Sequence, residues 1–396
     1  MIRFARSGFA AAVAGLAFCG ASAALAQDLK LPSTLTFTAY DTGSSGFNIA
    51  VAVGKMFKDK YNTDVRVLPA GNDVARLAPL KANRGQVSAM GVGIYFAQEA
   101  VFEFATKEWG PQPLQVLLAA NACNALGLVV ANDVGVKEMK DLNLAGLSDS
   151  DPRVAFVGGS PALNQTALAM IAFGGLTQND VKVVEFASNA AMFKGMINNE
   201  ADAAFSSTIN GQTREVESSP RGIWWARTPH GDKAGWERIK KVGPFFLPHM
   251  ASCGSGGLSA SNQAEMPTYP YPIFMSYASA APDLVYGVTK AMITGYDDYK
   301  AGAPGADGLA LNKQKLQWAV PFHAGAVKAL KEAGAWSDAD EAHNNGLLKR
   351  QGVLASAWEA FLKTNPPADA EPFRKAWMSA RKDALTKAGM DVVYND

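Results

Sequence analysis

Three short loops carry the residue types best suited to hold a small ligand. They are residues 42–47 (TGSSGF), 71–73 (GND) and 158–161 (GGSP), and each stands between a predicted strand and a predicted helix. Small residues let backbone N–H groups approach a ligand closely, and the positive end of a helix dipole favours an anion there. Ordinary helix capping needs the same residue types, so the loops alone leave both interpretations open.

Arg76 adds a charged group to the second loop, because it lies about one helical turn after Gly71. A guanidinium in that position could turn toward the loop and hold a carboxylate by two hydrogen bonds. The alternative is an arginine that faces solvent. The predicted ligand-binding residues come from the three loops, from their helices and from the end of a further strand: Ser44, Ser45, Gly46, Phe47, Asn72, Asp73, Arg76, Gly159, Ser160, Asn164, Ser206 and Ser207.

Motifs for catalysis, metals or cofactors are missing from the sequence. None of the four histidines, at 230, 249, 323 and 343, belongs to an H-E-x-x-H motif, and there is no C-x-x-C pair. Neither a phosphate-binding G-x-x-x-x-G-K-S/T loop nor a G-x-S-x-G nucleophile elbow occurs. The sequence therefore favours a binding protein without a cofactor over an enzyme, although distant residues could still converge in the fold.

The N-terminus has the pattern of a cleaved signal peptide. Arg3 and Arg6 precede an apolar run at 8–18, and an A-x-A site ends at Ala26. The apolar run is too short to span a bilayer, so we expect an exported, periplasmic protein. Removal of residues 1–26 takes two of the 37 basic residues and none of the 36 acidic ones, which leaves no electrostatic basis for nucleic-acid binding.

The remaining chain predicts two α/β units in tandem. In the first unit, strand-like runs at 35–40, 65–68 and 87–92 alternate with helical stretches. A second unit has the same alternation, with strand-like runs at 126–130, 154–157, 181–186 and 201–205. Strands that alternate with helices predict mostly parallel sheets with helices on their faces. From about residue 284 onward the sequence is helical.

Several motifs in order resemble one protein family. Residues 320–326 (VPFHAGA) with 331–334 (KEAG) are similar to its P-L-H-P-G-A-x-x-Y-x-x-E-x-G stretch, and residues 285–290 (VYGVTK) to its V-Y-x-I-T-K helix. The loop at 42–47 is similar to its T-G-G-T-Y-Y loop. The chain thus resembles the TAXI-type solute receptors of TRAP transporters (TRAP-associated extracytoplasmic immunogenic proteins). It departs from the family pattern at Ser44, Gly46, Arg76, Gly91 and Gly93.

The resemblance implies an α/β, two-lobed periplasmic-binding-protein fold (type II-like) with a hinge and a helical C-terminal extension. The expected division is a signal peptide at 1–26, a first lobe from 27–124 and 256–340, a second lobe at 125–255 and the extension at 341–396. It further implies that a monomer without enzymatic activity binds a small carboxylate or amino acid between its lobes and delivers it to TRAP permease subunits. His323 would then be a structural histidine.

Two questions stay open at this stage. Cys123 and Cys253 remain after signal cleavage, and they could form a disulfide where the chain passes between the lobes or remain buried thiols. The receptor could also serve as the periplasmic partner of a membrane kinase, and an exported enzyme could share the fold, since fold alone does not decide function.

Overall fold

The computed structural model describes residues 29–143 and 152–394, which form two five-stranded sheets and a two-stranded ribbon. The predicted signal peptide lies outside these residues. The strands, in chain order, are β1 Thr34–Tyr40, β2 Asp64–Ala70, β3 Val87–Met90, β4 Leu114–Ala119, β5 Leu126–Ala131, β6 Arg153–Val157, β7 Lys182–Phe186, β8 Ala203–Ser207, β9 Ile223–Trp225, β10 Leu247–Ala251, β11 Ala264–Thr268 and β12 Ile273–Tyr277.

Twelve α-helices connect and cover the strands in the described part of the chain. They are α1 Ser45–Tyr61, α2 Asp73–Lys81, α3 Gly93–Glu99, α4 Pro161–Phe173, α5 Asn189–Ile197, α6 Gly211–Glu217, α7 Lys233–Val242, α8 Pro282–Thr294, α9 Tyr296–Tyr299, α10 Ala324–Glu332, α11 Asp338–Leu362 and α12 Ala370–Lys387. None of the helices in the described ranges is long and apolar enough to cross a membrane.

The two large sheets share one strand order. The first runs β2-β1-β3-β12-β4, and the second runs β7-β6-β8-β5-β9. In each, four strands run in the same direction and only the fourth strand in the order is antiparallel to its neighbours. We call the first sheet with α1–α3 and α8–α10 the first lobe, and the second sheet with α4–α7 the second lobe. This confirms the predicted α/β two-lobed fold.

The burial pattern explains why these segments form sheets. In β1, Leu35, Phe37 and Ala39 alternate along one face and are buried, as the period of a strand requires. The interior strand β5 is buried along its whole length and reads as one apolar run, which is typical of a strand covered on both faces. The hydrophobic stripe of α1, which includes Ile49, Val53 and Phe57, packs against the first sheet.

The chain passes between the lobes at two places. Residues 120–125 connect β4 to β5, and residues 269–272 connect the β10–β11 ribbon to β12 in the first sheet. The return to the first lobe therefore lies after the boundary at 255/256 that we expected from the sequence. Cys123 and Cys253 form a disulfide with their Cα atoms 5.5 Å apart, so it joins the first crossing to the segment that follows β10.

The helical extension packs on the first lobe. Helices α11 and α12 lie against each other, and the Trp377 indole is fully buried and donates to the Ala100 carbonyl at 2.8 Å. The buried Glu99 carboxylate pairs with Arg350 of α11 and with Arg381 of α12. The aromatic residues of the extension thus belong to a packed interface with the first lobe.

The VPFHAGA stretch forms the start of α10. His323 is its N-cap, and the Nδ1 atom of this buried side chain accepts the Gly325 amide at 3.1 Å. A Cβ on Gly325 would lie 2.3 Å from the Pro282 carbonyl of α8, so only glycine permits this helix contact. The geometry is that of a structural cap, and burial lowers the pKa of His323.

Candidate functional site

A small cavity lies between the two lobes. The first lobe contributes Tyr40, Ser44, Ser45 and Gly91, the second contributes Leu126, Ala162, Leu163, Asn189, Phe205, Ser206, Ser207 and Asn210, and the second crossing contributes Tyr269 and Tyr271. The space open to the centres of water molecules is about 30 Å³, which corresponds to roughly two waters. The lobes are thus closed on each other around a nearly filled site.

The cavity lies where an α/β sheet usually binds a ligand. Tyr40 ends β1 and Ser207 ends β8, and Ser45 and Ala162 belong to the first turns of α1 and α4. Both sheets therefore point the carboxyl ends of their parallel strands at the same space, the position at which ligands bind in open α/β sheets.

The described residues that line this cavity include no lysine, arginine, histidine, aspartate or glutamate. Hydroxyl and amide groups supply its polarity, and its apolar surface comes from aromatic rings together with Leu126, Ala162 and Leu163. Burial raises the pKa values of Tyr40 and Tyr271, so both hydroxyls remain protonated. The lining can exchange neutral hydrogen bonds with a solute but offers it no side-chain charge.

Arg76 does not line the cavity. Its side chain is fully buried, donates from Nη1 to the Ala89 carbonyl at 2.9 Å and pairs with Asp73. Its guanidinium carbon lies 3.4 Å from the centre of the Tyr40 ring. The guanidinium turns toward the loop at 71–73, as the spacing suggested, but a carboxylate of the protein already occupies it.

Asp73 connects the two lobes. One carboxylate oxygen accepts the Tyr40 hydroxyl at 2.7 Å and the Arg76 guanidinium, and the other accepts the backbone amide of Ala162 at 2.7 Å. The Tyr40 oxygen also lies 2.7 Å from the Ser160 hydroxyl. Because Tyr40 donates its only proton to Asp73, Ser160 donates to Tyr40.

The N-terminus of α4 is consequently capped by the other lobe. Ser160 occupies the N-cap position, but its side chain forms no capping bond, and Pro161 at the first helical position has no N–H. The amide of Ala162 is therefore the first of the helix that needs an acceptor, and Asp73 provides it.

Two further helices of the second lobe also donate across the seam between the lobes. In α5, the amide of Asn189 donates to the Gly71 carbonyl at 3.0 Å and that of Ala190 to the Asp41 carboxylate at 2.9 Å. In α6, the amide of Gly211 donates to the Gly43 carbonyl at 3.1 Å. Helix N-termini of the second lobe thus meet oxygen atoms of the first.

The other predicted site residues divide between the cavity and its supports. Ser44, Ser45, Ser206 and Ser207 line the cavity. The remaining residues support the loops. Asn72 caps α2 by accepting the amide of Ala75, and the Asn164 side chain bonds both backbone groups of Val157. Gly46 lies beside the Tyr271 hydroxyl, Gly159 lies against Asn72, and Phe47 packs against the core.

Ten residues that line the cavity were not predicted from the sequence. Tyr40, Gly91, Asn189 and Asn210 lie at or just after strand ends, so the rule that pointed to Ser206 would also have found them. Tyr269 and Tyr271 come from the second crossing, for which no periodic pattern gave a signal. The others are Leu126, Ala162, Leu163 and Phe205.

A wider groove of about 960 Å³ lies at the outer edge of the seam. Its walls include Glu103, Trp109, Gly159 and residues 365–368 of the turn between α11 and α12. The loops after β2 and β6 reach this groove through Asn72 and Gly158, but most of its lining comes from residues 103–109 and the helical extension, and it is open to solvent. We therefore take the inner cavity as the candidate site.

Comparisons with known proteins give one sequence family and several distant structures. The solved structures include a protein from Bordetella bronchiseptica RB50, at 15% identity and TM-score 0.44 over 78% of this chain and 90% of the other. The alkanesulfonate-binding protein SsuA from Xanthomonas axonopodis pv. citri, bound to MOPS, is also 15% identical, with TM-score 0.41 over 79% and 94%. No curated protein matches the sequence.

A third structure is the amino acid ABC transporter substrate-binding protein AbpA from Streptococcus pneumoniae Canada MDR_19A, bound to L-arginine. Its identity is 11% and its TM-score 0.39, over 71% of this chain and 94% of the other. The family profile described as NMT1-like family matches residues 37–334, most of the chain and both lobes. The chain belongs to the NMT1-like family.

Proposed function

We propose that this protein is an extracytoplasmic solute receptor that captures a small polar molecule between its two lobes. The observation that carries the proposal is the cavity between the lobes, which is surrounded by strand ends and helix N-termini of both sheets. Two chain crossings at 120–125 and 269–272 would serve as the hinge. Such an arrangement suits a protein that opens, admits a solute and closes on it.

Closure would be driven by contacts that exist only when the lobes meet. Hydrogen bonds from α4, α5 and α6 to the first lobe are of this kind, and a solute that touches both Ser45 and Ser206 would add to them. A solute can shift the open–closed equilibrium only by its differential affinity for the two states. The closed form would then be the one presented to a partner.

For the partner we propose the permease subunits of a TRAP-type secondary transporter, as the resemblance to TAXI-type receptors implies. The same resemblance supports a monomer in the periplasm. The Cys123–Cys253 disulfide is consistent with an oxidising compartment. An alternative partner is a membrane kinase to which the receptor reports its ligand.

An enzymatic function has less support from the site. The cavity lining contains the hydroxyls of Ser206 and Ser207 but no described histidine or carboxylate that could activate a nucleophile. An exported enzyme of the same fold is therefore the weaker alternative.

The sequence led us to expect a carboxylate or amino acid held by Arg76. That guanidinium is paired with Asp73 beneath the cavity, so it supports an anionic solute less than the sequence suggested.

A thermal-shift and calorimetric screen of the secreted chain tests the proposal. The panel holds amino acids, dicarboxylates, keto acids, sulfonates, sugars and neutral amides, because a solute that binds only the folded state raises its melting temperature. We expect a hit whose binding is lost in Ser206→Val, which fills the cavity, and kept in Ser261→Val on an exposed loop. Binding that survives Ser206→Val, or turnover of the hit, would contradict the proposal.

A further inference from the structure

We propose that Asp41 and Asp73 act as built-in anions of the cleft, and that the cavity therefore selects an uncharged polar solute over its carboxylate analogue. The proposal rests on the function proposed above. It adds the chemical class of the solute and names the residues that set it.

The two carboxylates stand where a bound anion would be expected. The first amides of a helix have no partner inside the helix, and together with the helix dipole they attract negative charge. At α4 the available amide is that of Ala162, and Asp73 accepts it at 2.7 Å. At α5 it is that of Ala190, and Asp41 accepts it at 2.9 Å. Both acceptors come from the opposite lobe.

The third helix N-terminus at the cavity is also occupied. In α1 the Ser44 side chain accepts the amide of Phe47, and the Tyr271 hydroxyl oxygen lies 3.4 Å from the position of a Cβ on Gly46. A solute carboxylate in the closed cleft would thus find the amides of Ala162, Ala190 and Phe47 already bound to oxygen atoms of the protein.

The charged groups around the cavity also disfavour an anionic solute. Arg76 stacks on the Tyr40 ring of the cavity wall, and it is fully buried with Asp73 as its partner. A solute anion would have to lose its hydration in a cavity whose described lining has no basic residue to compensate. Burying an unpaired charge costs far more than burying a neutral polar group that is hydrogen-bonded.

What remains in the lining suits a neutral solute. Ser45, Ser206 and Ser207 supply hydroxyls, and Asn210 supplies an amide whose Nδ2 donates to Ser206 at 3.0 Å. Hydroxyls both donate and accept, so they match the carbonyl and N–H groups of an amide, an imide or a urea. Phe205 and Tyr269 add aromatic surface to the same lining.

The first experiment measures closure without any solute. Small-angle X-ray scattering should find the wild-type chain as compact as the closed structure, and Asp41→Ala and Asp73→Ala more open. Sodium acetate should close both variants again, since acetate can replace the missing carboxylate, whereas sodium chloride at equal ionic strength should not. Asp232→Ala is the matched control, because Asp232 caps α7 within the second lobe.

This experiment remains decisive if Asp73→Ala fails to fold, because Asp41 is only half-buried and its variant removes a single contact across the seam. A wild-type chain that is open without solute, or an Asp41→Ala variant that stays as compact as the wild type, would overturn the proposal. So would an opening by Asp232→Ala as large as that by Asp41→Ala.

The second experiment compares matched probes by calorimetry: succinamide with succinate, nicotinamide with nicotinate, and uracil with orotate. We expect the wild type to prefer the uncharged member of any pair that binds by roughly tenfold or more. In Asp73→Ala, Arg76 has lost its anionic partner, so the binding preference should shift toward the acid of each pair. A wild-type preference for the acid would overturn the proposal. If no probe binds, the proposed function is weakened, while the closure measurement still decides the role of the two aspartates.

Discussion

The two lobes have the same strand order but cap their helices in different ways. In the first lobe, Ser44 and Asn72 cap α1 and α2 from within. The corresponding helices of the second lobe, α4 and α5, take acceptors from the first lobe, namely Asp73 and Asp41. Ser188 also caps α5 from within, so of these four helices only α4 lacks a cap from its own lobe. The first lobe takes one acceptor in return, because the amide of Val74 in α2 donates to the Gly159 carbonyl at 3.2 Å.

Part of the free energy of helix capping in the second lobe is therefore gained only when the two lobes close. A helix N-cap stabilises a protein by about 1 kcal/mol, and a carboxylate near the helix dipole adds a few tenths. In the second lobe these contributions at Ala162 and Ala190 depend on the position of the other lobe. Closure without a solute follows from this arrangement, and the solute then needs only neutral contacts to stabilise it further.

The largest expected effect comes from Asp73→Ala. The change removes the acceptor of Ala162 and leaves the buried Arg76 guanidinium without its partner. We expect the free energy of unfolding to fall by about 3–5 kcal/mol, the usual cost of breaking a buried ion pair from one side. Urea denaturation measures it, and Asp232→Ala, a cap inside the second lobe, should cost about 1 kcal/mol. If Asp73→Ala and Asp232→Ala lost the same free energy of unfolding, a cap supplied by the other lobe would not differ from a cap within one lobe.

Gly211→Ala should separate the lobes without weakening either one. A Cβ there would lie 2.7 Å from the Gly43 carbonyl oxygen across the seam, so the lobes must move apart. We expect closure to become less favourable by on the order of 1–2 kcal/mol, seen as a larger radius of gyration by X-ray scattering, with little change in urea stability. Gly231→Ala, where a Cβ meets no atom within 4 Å, is the control. A compact Gly211→Ala variant would show that the seam contact is not tight.

Glu103 lines the groove at the outer edge of the seam and, unlike Asp41 and Asp73, accepts no hydrogen bond from the described residues of the second lobe. Its buried Oε2 atom has no hydrogen-bond partner among the described residues, and burial raises the pKa of Glu103 to about 7. The carboxyl is thus held neutral in the fold at a pH at which the unfolded chain already releases its proton. The contribution of the neutral Glu103 carboxyl to the free energy of unfolding is fully present below about pH 4.5 and is lost as the pH rises through about 7.

Replacement of this group by an amide should therefore stabilise the protein only at higher pH. Glu103→Gln should raise the free energy of unfolding by about 1–2 kcal/mol at pH 8 and change it little at pH 4.5, as measured by urea denaturation at both values. Glu108→Gln, an exposed neighbour in the same groove, should show no such difference. A gain of equal size at both pH values would argue against a titrating Glu103.

Asp41→Asn should give the smallest effect. The amide oxygen can still accept from Ala190, so the variant loses the charge near the dipole of α5 but keeps the hydrogen bond. We expect closure to weaken by about 0.5 kcal/mol and Asp41→Ala to have a clearly larger effect. Scattering at low and high salt checks this, since salt screens the charge and should shrink the difference from wild type.

The sequence allowed more of the fold to be predicted than of the site. Alternation in β1 and the apolar run of β5 are local signals, and they were sufficient for two α/β units. The strand β4 went unrecognised because it leads into the first crossing and not into a helix. The strand β12 also went unrecognised, although α8 follows it. The second crossing was expected near Cys253, but the β10–β11 ribbon carries the chain on to residues 269–272 before it returns.

The site itself depends on contacts between distant parts of the chain. Ser44 and Ser206 could be placed because strand ends in α/β sheets face the ligand. Asp73 and Arg76 are three residues apart, so their proximity was also accessible. The bond from Ala162 to Asp73 spans 89 residues and joins two lobes, and no local pattern encodes it. The inference that Arg76 binds a solute failed to anticipate this internal partner.

The distance between the two lobes reports whether Asp41 and Asp73 hold the solute-free cleft closed. Spin labels at Arg84→Cys and Glu200→Cys, two exposed positions far from the seam on opposite lobes, report the opening of the cleft by electron–electron resonance. For the solute-free wild type we predict a single short distance that matches the closed structure, and for the Asp41→Ala, Asp73→Ala double variant a longer one that acetate restores. A solute-free wild type with the long distance, unchanged in the double variant, would contradict closure by the two aspartates.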